Sequence, residues 1–219
     1  MDSEVIYQDL RTKILNLDFA PGTELKIRDL VNQFQVSRSP VRDALNRLAG
    51  EGLLTIIPQS GTKVSKIDLK IVREEQFLRT TLELGALSLF LKQANTLEGQ
   101  TYIKEMEEII ESQTKAFEIR DMKAFLLLDN KFHGLIFKGA EKENCYTLIQ
   151  THSGNYQRIR RLSFSFDSIS QGVLSEHKKL VDAFKNNQTE EAKQLDYEHI
   201  NKLEAETKTL KENLHNYFK

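Results

Sequence analysis

The stretch that decides the fold is residues 36–52, which read VSRSPVRDALNRLAGEG and end at Gly52, a natural exit for a helix. Ser37 and Ser39 can each cap a helix start, and Pro40 suits the first helical position. The apolar residues recur at helical spacing and the arginines fall away from them: Val41, Leu45 and Leu48 against Arg38, Arg42 and Arg47. The stretch predicts a helix with a buried back and a cationic front, although an ordinary amphipathic surface helix fits the same pattern until the flanks are considered.

The flanks predict two helices before this stretch and a hairpin after it. Apolar residues at spacings of four and three predict a helix over 3–17, and a second short helix runs over about 26–34. Only residues 35–37 separate the second helix from the third, as in a helix-turn-helix. The hairpin is predicted from a β-branched run, a turn cluster and an extended stretch, at 53–57, 58–61 and 62–65. This order predicts a winged helix-turn-helix, in which the third helix enters the major groove of DNA.

Composition sets bounds on the function. The 219-residue chain has a net charge of −1, yet residues 37–66 carry five basic side chains against two acidic ones, so positive charge is concentrated locally. The single cysteine, Cys145, excludes an internal disulfide and a thiolate metal cage. We expect a cytoplasmic protein without a membrane partner, because neither a signal-peptide pattern nor a long apolar run is present.

The first domain resembles the GntR family of bacterial transcription regulators. The resemblance is carried by PGTEL at 21–25, by 30–36, by SRSPVRDAL at 37–45, and by EGLL and GTKV at 51–54 and 61–64. It implies that DNA is contacted from the second helix, the turn, the third helix and the wing, through Arg28, Ser37, Arg38, Ser39, Arg42, Gly61 and Lys63. Guanidinium groups can bind guanine edges bidentately or hold phosphates, and which arginine does which stays open.

The second part of the chain is predicted to be an antiparallel all-α bundle. We place the domain boundary between 66 and 67, where the strand pattern ends, which gives a DNA-binding domain over 1–66 and a helical domain over 67–219. Six helices are predicted there, at 68–94, 98–119, 121–138, 143–166, 170–186 and 189–217. The whole chain is therefore predicted to be mainly α.

Histidine placement suggests a metal site in the bundle. Asp129 and His133 are four residues apart and share one helix face, although such a pair is more often a simple surface interaction. His177 lies ten residues before Asn187 and His199 twelve after it, so a helical hairpin turning at Asn187 brings both histidines level. Four ligand-type side chains on three helices can converge on one cavity.

The same residues resemble the FCD effector-binding domain of the FadR subfamily of GntR regulators, in its six-helix, VanR-like form. The matching positions are 79–83, 129–133, Asn144, 176–177 and His199. The resemblance implies a divalent metal, zinc or nickel first and manganese or iron as further candidates, and a set of four ligands: Asp129, His133, His177 and His199. It also implies a small carboxylate effector that completes the metal's coordination.

The pattern leaves room for more than one interpretation of two further basic residues and one basic cluster. Arg79 is a candidate contact for the effector carboxylate, and an interhelical salt bridge to a glutamate explains it equally well. His152 is a further candidate for the cavity, and the basic cluster at 158–161 is interpreted as a solvated helix face.

Together these features predict a ligand-responsive regulator that binds double-stranded operator DNA as a homodimer. A palindromic operator suits two recognition helices one helical turn apart, and repression is the commoner mode in such families. The alternative is a helical-bundle metalloenzyme or metal-binding protein with an appended winged-helix module. Against an enzyme, the sequence shows no paired nucleophile and base, no glycine-rich phosphate loop and no Glu-x-x-His arrangement of the di-iron bundle type, which needs that motif on each of two helices.

Overall fold

A computed structural model describes residues 2–57, 61–202, 207, 210–212 and 214–219. The first part contains α1 (Ser3–Leu15), β1 (Glu24–Leu25), α2 (Ile27–Phe34), α3 (Arg38–Gly50), β2 (Leu54–Ile57) and β3 (Gly61–Val64). The second contains α4 (Leu69–Gln93), α5 (Leu97–Glu118), α6 (Met122–Gly139), α7 (Glu143–His152), α8 (Gly154–Ser163), α9 (Asp167–Lys185) and α10 (Thr189–Asn201), and then a 3-10 turn (His215–Tyr217). The predicted mainly α fold, with an N-terminal winged helix-turn-helix and a helical second domain, is confirmed.

The winged-helix domain packs three helices on a small antiparallel sheet of order β1-β3-β2. Its hydrophobic core is formed where α1, α3 and the strands meet, by side chains that include Ile6, Leu10, Ile14, Val41, Leu45, Leu48 and Leu53. The third strand, β1, was not predicted from the sequence. It has two residues and exists through pairing with β3, where Glu24 lies opposite Lys63. Residues 58–60 of the predicted wing turn lie outside the described residues.

The recognition helix begins and ends near the predicted positions. Ser37 occupies the N-cap position in an extended conformation, but its side chain makes no capping hydrogen bond. The chain leaves the helix through Gly52, whose φ of +73° suits glycine better than any other residue. The buried stripe faces α1, and the arginines face outward.

Helices α4–α10 form the second domain around a large apolar core between α4, α5, α6 and α9. The core includes Phe90, Met106, Phe132, Phe137, Leu180 and Phe184. Four of the six predicted helices, the first, second, third and fifth, match single helices, but the predicted fourth helix is divided between α7 and α8. Over the last predicted helix, 189–217, the described residues are helical at 189–201, 207 and 210–212 and form a 3-10 turn at 215–217, while 203–206, 208–209 and 213 lie outside the described residues.

The division of the fourth helix has a local cause. Ser153 has φ −119° and ψ 41°, outside the helical region, and it separates α7 from α8. Gly154 lies against the winged-helix domain so closely that a Cβ atom there would be 2.7 Å from Leu53 Cδ2. The break therefore sets α8 against the domain junction. Among the described helices, none is both long enough and apolar enough to cross a bilayer.

Candidate DNA-binding face and metal centre

One open groove on the winged-helix domain collects the predicted arginines. Arg28 on α2 and Arg38 and Arg42 on α3 line it together, and all three are exposed. Arg38 and Arg42 belong to the N-terminal half of the recognition helix, where base edges are met in winged-helix proteins. Of these three arginines, Arg28 has an ion-pair contact with its exposed neighbour Asp29, at 3.4 Å.

The remaining predicted DNA contacts lie outside the lining of this groove. Ser37 and Ser39 are exposed at the start of α3, beside backbone amides that have no intrahelical acceptor. Gly61 opens β3 with φ +115°, a conformation that favours glycine, and Lys63 is exposed on the same strand. Of the seven predicted residues, the groove lining thus includes the three arginines.

Three lining residues were missed from the sequence: Asn46, Ile56 and Thr62. Asn46 is exposed one helical turn after Arg42, so the i, i+4 spacing was the available signal. An asparagine amide can read an adenine edge in the major groove. Ile56 and Thr62 reach the groove only because the wing folds back beside α3.

The second predicted cluster lies deep in the helical domain. Asp129 and His133 on α6, His177 on α9 and His199 on α10 each offer one ligand atom, and these atoms lie within 4.8 Å of one another. His133 Nε2 is 3.2 Å from His199 Nε2, and His177 Nε2 is 3.6 Å from Asp129 Oδ1. All four side chains are buried. The predicted convergence from three helices is thus present in the geometry.

The chemistry of this cluster fits a divalent metal. Apart from a contact with the Arg160 guanidinium, the Asp129 carboxylate oxygens have no hydrogen-bond partner among the described residues, and neither does His177 Nε2. Burial and the neighbouring histidines lower the pKa values of His177 and His199 well below their usual range. Burial also lowers the pKa of His133, although the negative charge of Glu83 acts to raise it. Neutral imidazoles with one carboxylate suit zinc, nickel, manganese or iron.

Supporting side chains orient every histidine in the same way. The Nδ1 atoms of His133, His177 and His199 contact three oxygen acceptors: Glu83 Oε1, Gln113 Oε1 at 3.0 Å and Glu176 Oε2 at 2.6 Å. Each Nδ1–H therefore has an acceptor, which leaves all three Nε2 lone pairs for an ion. Gln113 was missed from the sequence. The signal was a polar residue on the otherwise apolar buried stripe of α5.

Arg79 belongs to this support. Its Nε donates to Glu83 Oε2 at 2.9 Å, one turn along α4, and its NH1 donates to the Tyr156 hydroxyl at 3.2 Å. The salt bridge is thus within one helix rather than between helices. Burial alone would raise the pKa of Glu83, but Arg79 and His133 hold it well below its usual range. Arg79 also lines the cavity beside the cluster, so an effector contact stays open to it.

Asp196 forms a second group of ligand-type atoms with Glu83 and His133, also within 4.8 Å. The Glu83 carboxylate is already paired with Arg79 and His133, so it is not free to bind an ion in this second group. Burial raises the pKa of Asp196 well above its usual range, which favours the neutral acid. We therefore centre the metal site on the group with Asp129.

Two sequence interpretations need correction. His152 is exposed and lies outside the cluster, because α7 ends there and turns its last residue to solvent. The basic cluster at 158–161 is not a solvated face: Arg158 and Arg160 are buried, and only Arg161 is half-exposed. Arg158 donates to backbone and amide oxygens, and Arg160 contacts Asp129 and donates to Asn130 Oδ1 at 2.9 Å. Helix α8 is packed on nearly all sides, so Arg158 and Arg160 are kept from solvent.

Comparison with known families agrees with this geometry. The family described as "Bacterial regulatory proteins, gntR family" matches residues 2–64, and the FCD domain matches residues 76–202, more than half of the chain. The chain belongs to the GntR family and carries an FCD domain. This regulator is therefore a DNA-binding transcription regulator, and its relatives are regulators rather than metalloenzymes.

Individual relatives extend over most of this GntR regulator. It is 26% identical to the HTH-type transcriptional repressor RspR of Escherichia coli K12, over 99% of this chain and 93% of that protein. It is 32% identical to an HTH-type transcriptional regulator of Streptomyces ambofaciens, over 81% of this chain and 73% of that protein. The solved structure of E. coli McbR/YncC shares the fold, with a TM-score of 0.78, 20% identity, and 95% and 97% of the two chains covered.

Proposed function

We propose that this regulator is a repressor that binds a palindromic operator as a homodimer and is controlled by a metal-centred cavity that senses a small organic acid. The observation that carries the sensing half is the buried cluster of Asp129 and three histidines, whose Nε2 atoms all remain available to an ion. Similarity to RspR, a protein named as a repressor, supports the sign of regulation.

The DNA-binding half rests on the exposed arginine groove. Arg28, Arg38 and Arg42 would supply base and phosphate contacts, with Ser37 and Ser39 on phosphates and Lys63 on the wing. One winged-helix domain reads a single half-site, so a palindrome requires two copies of the chain. We propose that the chain divides between 66 and 67 into a DNA-binding domain and a sensing domain. The regulator would bind its operator DNA in the cytoplasm.

The sensing half rests on charge around the metal cluster. A bound divalent ion would be held by the four predicted ligands and would act as a Lewis acid with coordination positions left for an oxygen ligand. The adjoining cavity is lined by three cationic side chains, Arg79, Arg160 and Lys202. Cations around a dication select an anion, and Arg79 is the proposed carboxylate contact. The cavity holds about 20 Å³, close to the volume of one water probe, so an effector must be small or must displace side chains.

The test begins with selection of bound sequences from a random DNA library by the zinc-loaded full-length protein. We expect an inverted repeat with half-sites about one helical turn apart, and binding that weakens steeply with salt. Fluorescence anisotropy on the selected site then compares zinc-loaded and metal-stripped protein, each with acetate, lactate and citrate. At least one acid should change the affinity of the zinc-loaded protein and leave the stripped protein unaffected.

Two results would contradict the proposal at different points. Failure to enrich any sequence, with or without zinc, would remove operator binding. Selective DNA binding that no acid and no metal alters would leave a DNA-binding regulator without the proposed sensor.

A further inference from the structure

Helix α8 has two faces with different surroundings. Tyr156, Arg160 and Ser163, at i, i+4 and i+7, line the cavity beside the metal cluster. Gly154 and Arg158, at i and i+4 on another side, face the junction with the winged-helix domain. Residues two apart on a helix point in opposed directions, so Arg158 and Arg160 extend from one short helix toward two different sites. The helix is about 15 Å long, ten residues at 1.5 Å each.

The cavity side is tied to the proposed metal ligand itself. Arg160 contacts the Asp129 carboxylate, and its NH1 donates to Asn130 Oδ1 at 2.9 Å. A dication held by Asp129 would share that carboxylate's charge and weaken its hold on Arg160. The position of Arg160 is therefore expected to depend on whether the cluster holds an ion.

The junction side holds the segment that links the two domains. Arg158 NH1 donates to the Ser65 carbonyl at 2.6 Å, and its NH2 donates to Asn155 Oδ1 at 2.9 Å. The same amide oxygen accepts from the Asp68 backbone N–H at 3.1 Å. Arg158 is fully buried, and it donates to three neutral oxygens, which belong to Gly154, Ser65 and Asn155. Burial lowers its pKa to about 10, so it remains charged at neutral pH while it holds the linker.

The winged-helix domain is attached at the same end. Gly154 packs against Leu53, and Arg11 of α1 donates to the carbonyls of Gln150 and Thr151 at 2.8 and 3.3 Å. Movement of α8 would thus be transmitted to the end of α7, to the linker and to the start of the wing. Rigid elements with contacts at both ends are the physical means by which two sites can be coupled.

We propose that α8 couples the metal cluster to the domain junction, with Arg160 and Arg158 as its positioning residues. The inference rests on the metal site of the proposed function and adds the route by which that site acts on the DNA-binding domain. Binding of the ion changes the partners of Arg160, α8 shifts, and Arg158 changes its hold on the linker carbonyl of Ser65.

The test measures hydrogen exchange of full-length protein by mass spectrometry, metal-stripped and loaded with one equivalent of zinc. The reporters are the amides of Ile67 and Asp68, which donate to the Tyr217 carbonyl and to Asn155 Oδ1. Zinc should change their exchange rates by about fivefold or more, the lower end of ordinary allosteric couplings. This readout requires neither DNA nor an effector, so it can fail independently of operator binding.

Three substitutions to methionine test the route. Arg160→Met and Arg158→Met should still bind one zinc per chain, but the difference in linker exchange between the two metal states should disappear. Arg161→Met is the matched control, because Arg161 is half-exposed on the same helix and is absent from the cavity lining. It should retain the wild-type difference. A purely structural role for Arg158 would raise exchange equally in both states and preserve the difference.

Lysine variants keep the test decisive if a methionine variant does not fold. Arg158→Lys and Arg160→Lys retain the charge and should restore part of the zinc response. Wild-type protein that binds zinc without a change in linker exchange would overturn the coupling and leave the metal site standing. Folded Arg158→Met and Arg160→Met variants that respond to zinc like wild type would also overturn it, and wild-type protein that binds no zinc would remove both the coupling and the sensor.

Discussion

The two domains place their functional residues in opposite environments. In the winged-helix domain, Arg28, Arg38 and Arg42 are exposed outside a hydrophobic core. In the helical domain, Asp129 and the three histidines are buried inside the bundle. Functional residues on the surface hardly reduce the stability of the fold. Buried polar groups, in contrast, are stabilising only when all their hydrogen-bonding or metal partners are in place.

This difference predicts different consequences of substitution. A surface arginine contributes to DNA binding but little to the stability of the fold. Its removal leaves no cavity and no buried group without a partner. A buried ligand contributes to metal binding and to folding together, because metal ligation and folding share one free energy. Single substitutions in the two domains should therefore separate cleanly into binding effects and coupled effects.

The largest effect is expected for His177→Ala. Structural zinc sites bind with about 10–16 kcal/mol, so one of four ligands represents ~3 kcal/mol, or about 100-fold in affinity. Zinc affinity measured by chelator competition should fall by that factor. The rise in melting temperature that zinc gives the wild-type protein should shrink with it, since stabilisation follows the ratio of free zinc to Kd.

His152→Ala is the control for this substitution, because His152 is exposed at the end of α7 and outside the cluster. It should change neither zinc affinity nor the zinc-dependent melting temperature. Full zinc occupancy and undiminished stabilisation in His177→Ala would show that the ion binds elsewhere. The contrast between an exposed DNA-binding site and a buried metal site would then no longer hold.

A smaller effect, confined to binding, is expected for Arg42→Ala. Loss of one arginine contact to a base edge costs about 1–3 kcal/mol, which is roughly 5-fold to 150-fold in DNA affinity. Anisotropy on the selected site should show this loss, while thermal unfolding with and without zinc should match the wild type.

Arg47→Ala on the same helix is the matched comparison. Arg47 is exposed outside the groove, stacks 3.6 Å over the Tyr7 ring and pairs with Glu4 at 2.5 Å. Its removal should leave DNA affinity within about twofold of the wild type. Equal losses for both variants would mean that general positive charge, and not the groove, determines binding.

The sequence predicted the winged-helix domain well because its signals are local. Cap residues, the Gly52 exit and the apolar stripe of Val41, Leu45 and Leu48 each act within one or two helical turns. The short strand β1 was missed because two residues carry no periodicity, and the strand forms only against β3. The convergence of Asp129 and His133 with His177 and His199 was also predictable, since an i, i+4 pair and a level helical hairpin are spacings that can be read from the sequence.

The buried polar network was less predictable, because burial of polar groups is decided by tertiary contacts. Arg158 and Arg160 have the composition of a solvated helix face, and only the packing of α8 between the domains shows otherwise. The break at Ser153 is likewise fixed by the approach of Gly154 to Leu53, a contact across the domain junction. Several of the errors in prediction thus fall on α8 and its junction with the winged-helix domain.

The smallest effect is expected for Lys63→Ala on the wing. Lys63 is exposed on β3, and an ammonium group there can neutralise a phosphate without reading a base. DNA affinity should fall about threefold on every sequence, and the slope of log affinity against log salt should decrease by about 1. Lys92→Ala on α4 is the control, since this exposed lysine lies in the other domain. A changed sequence preference in Lys63→Ala would instead assign the wing to base recognition, and the division between base-reading helix and phosphate-holding wing would have to be redrawn.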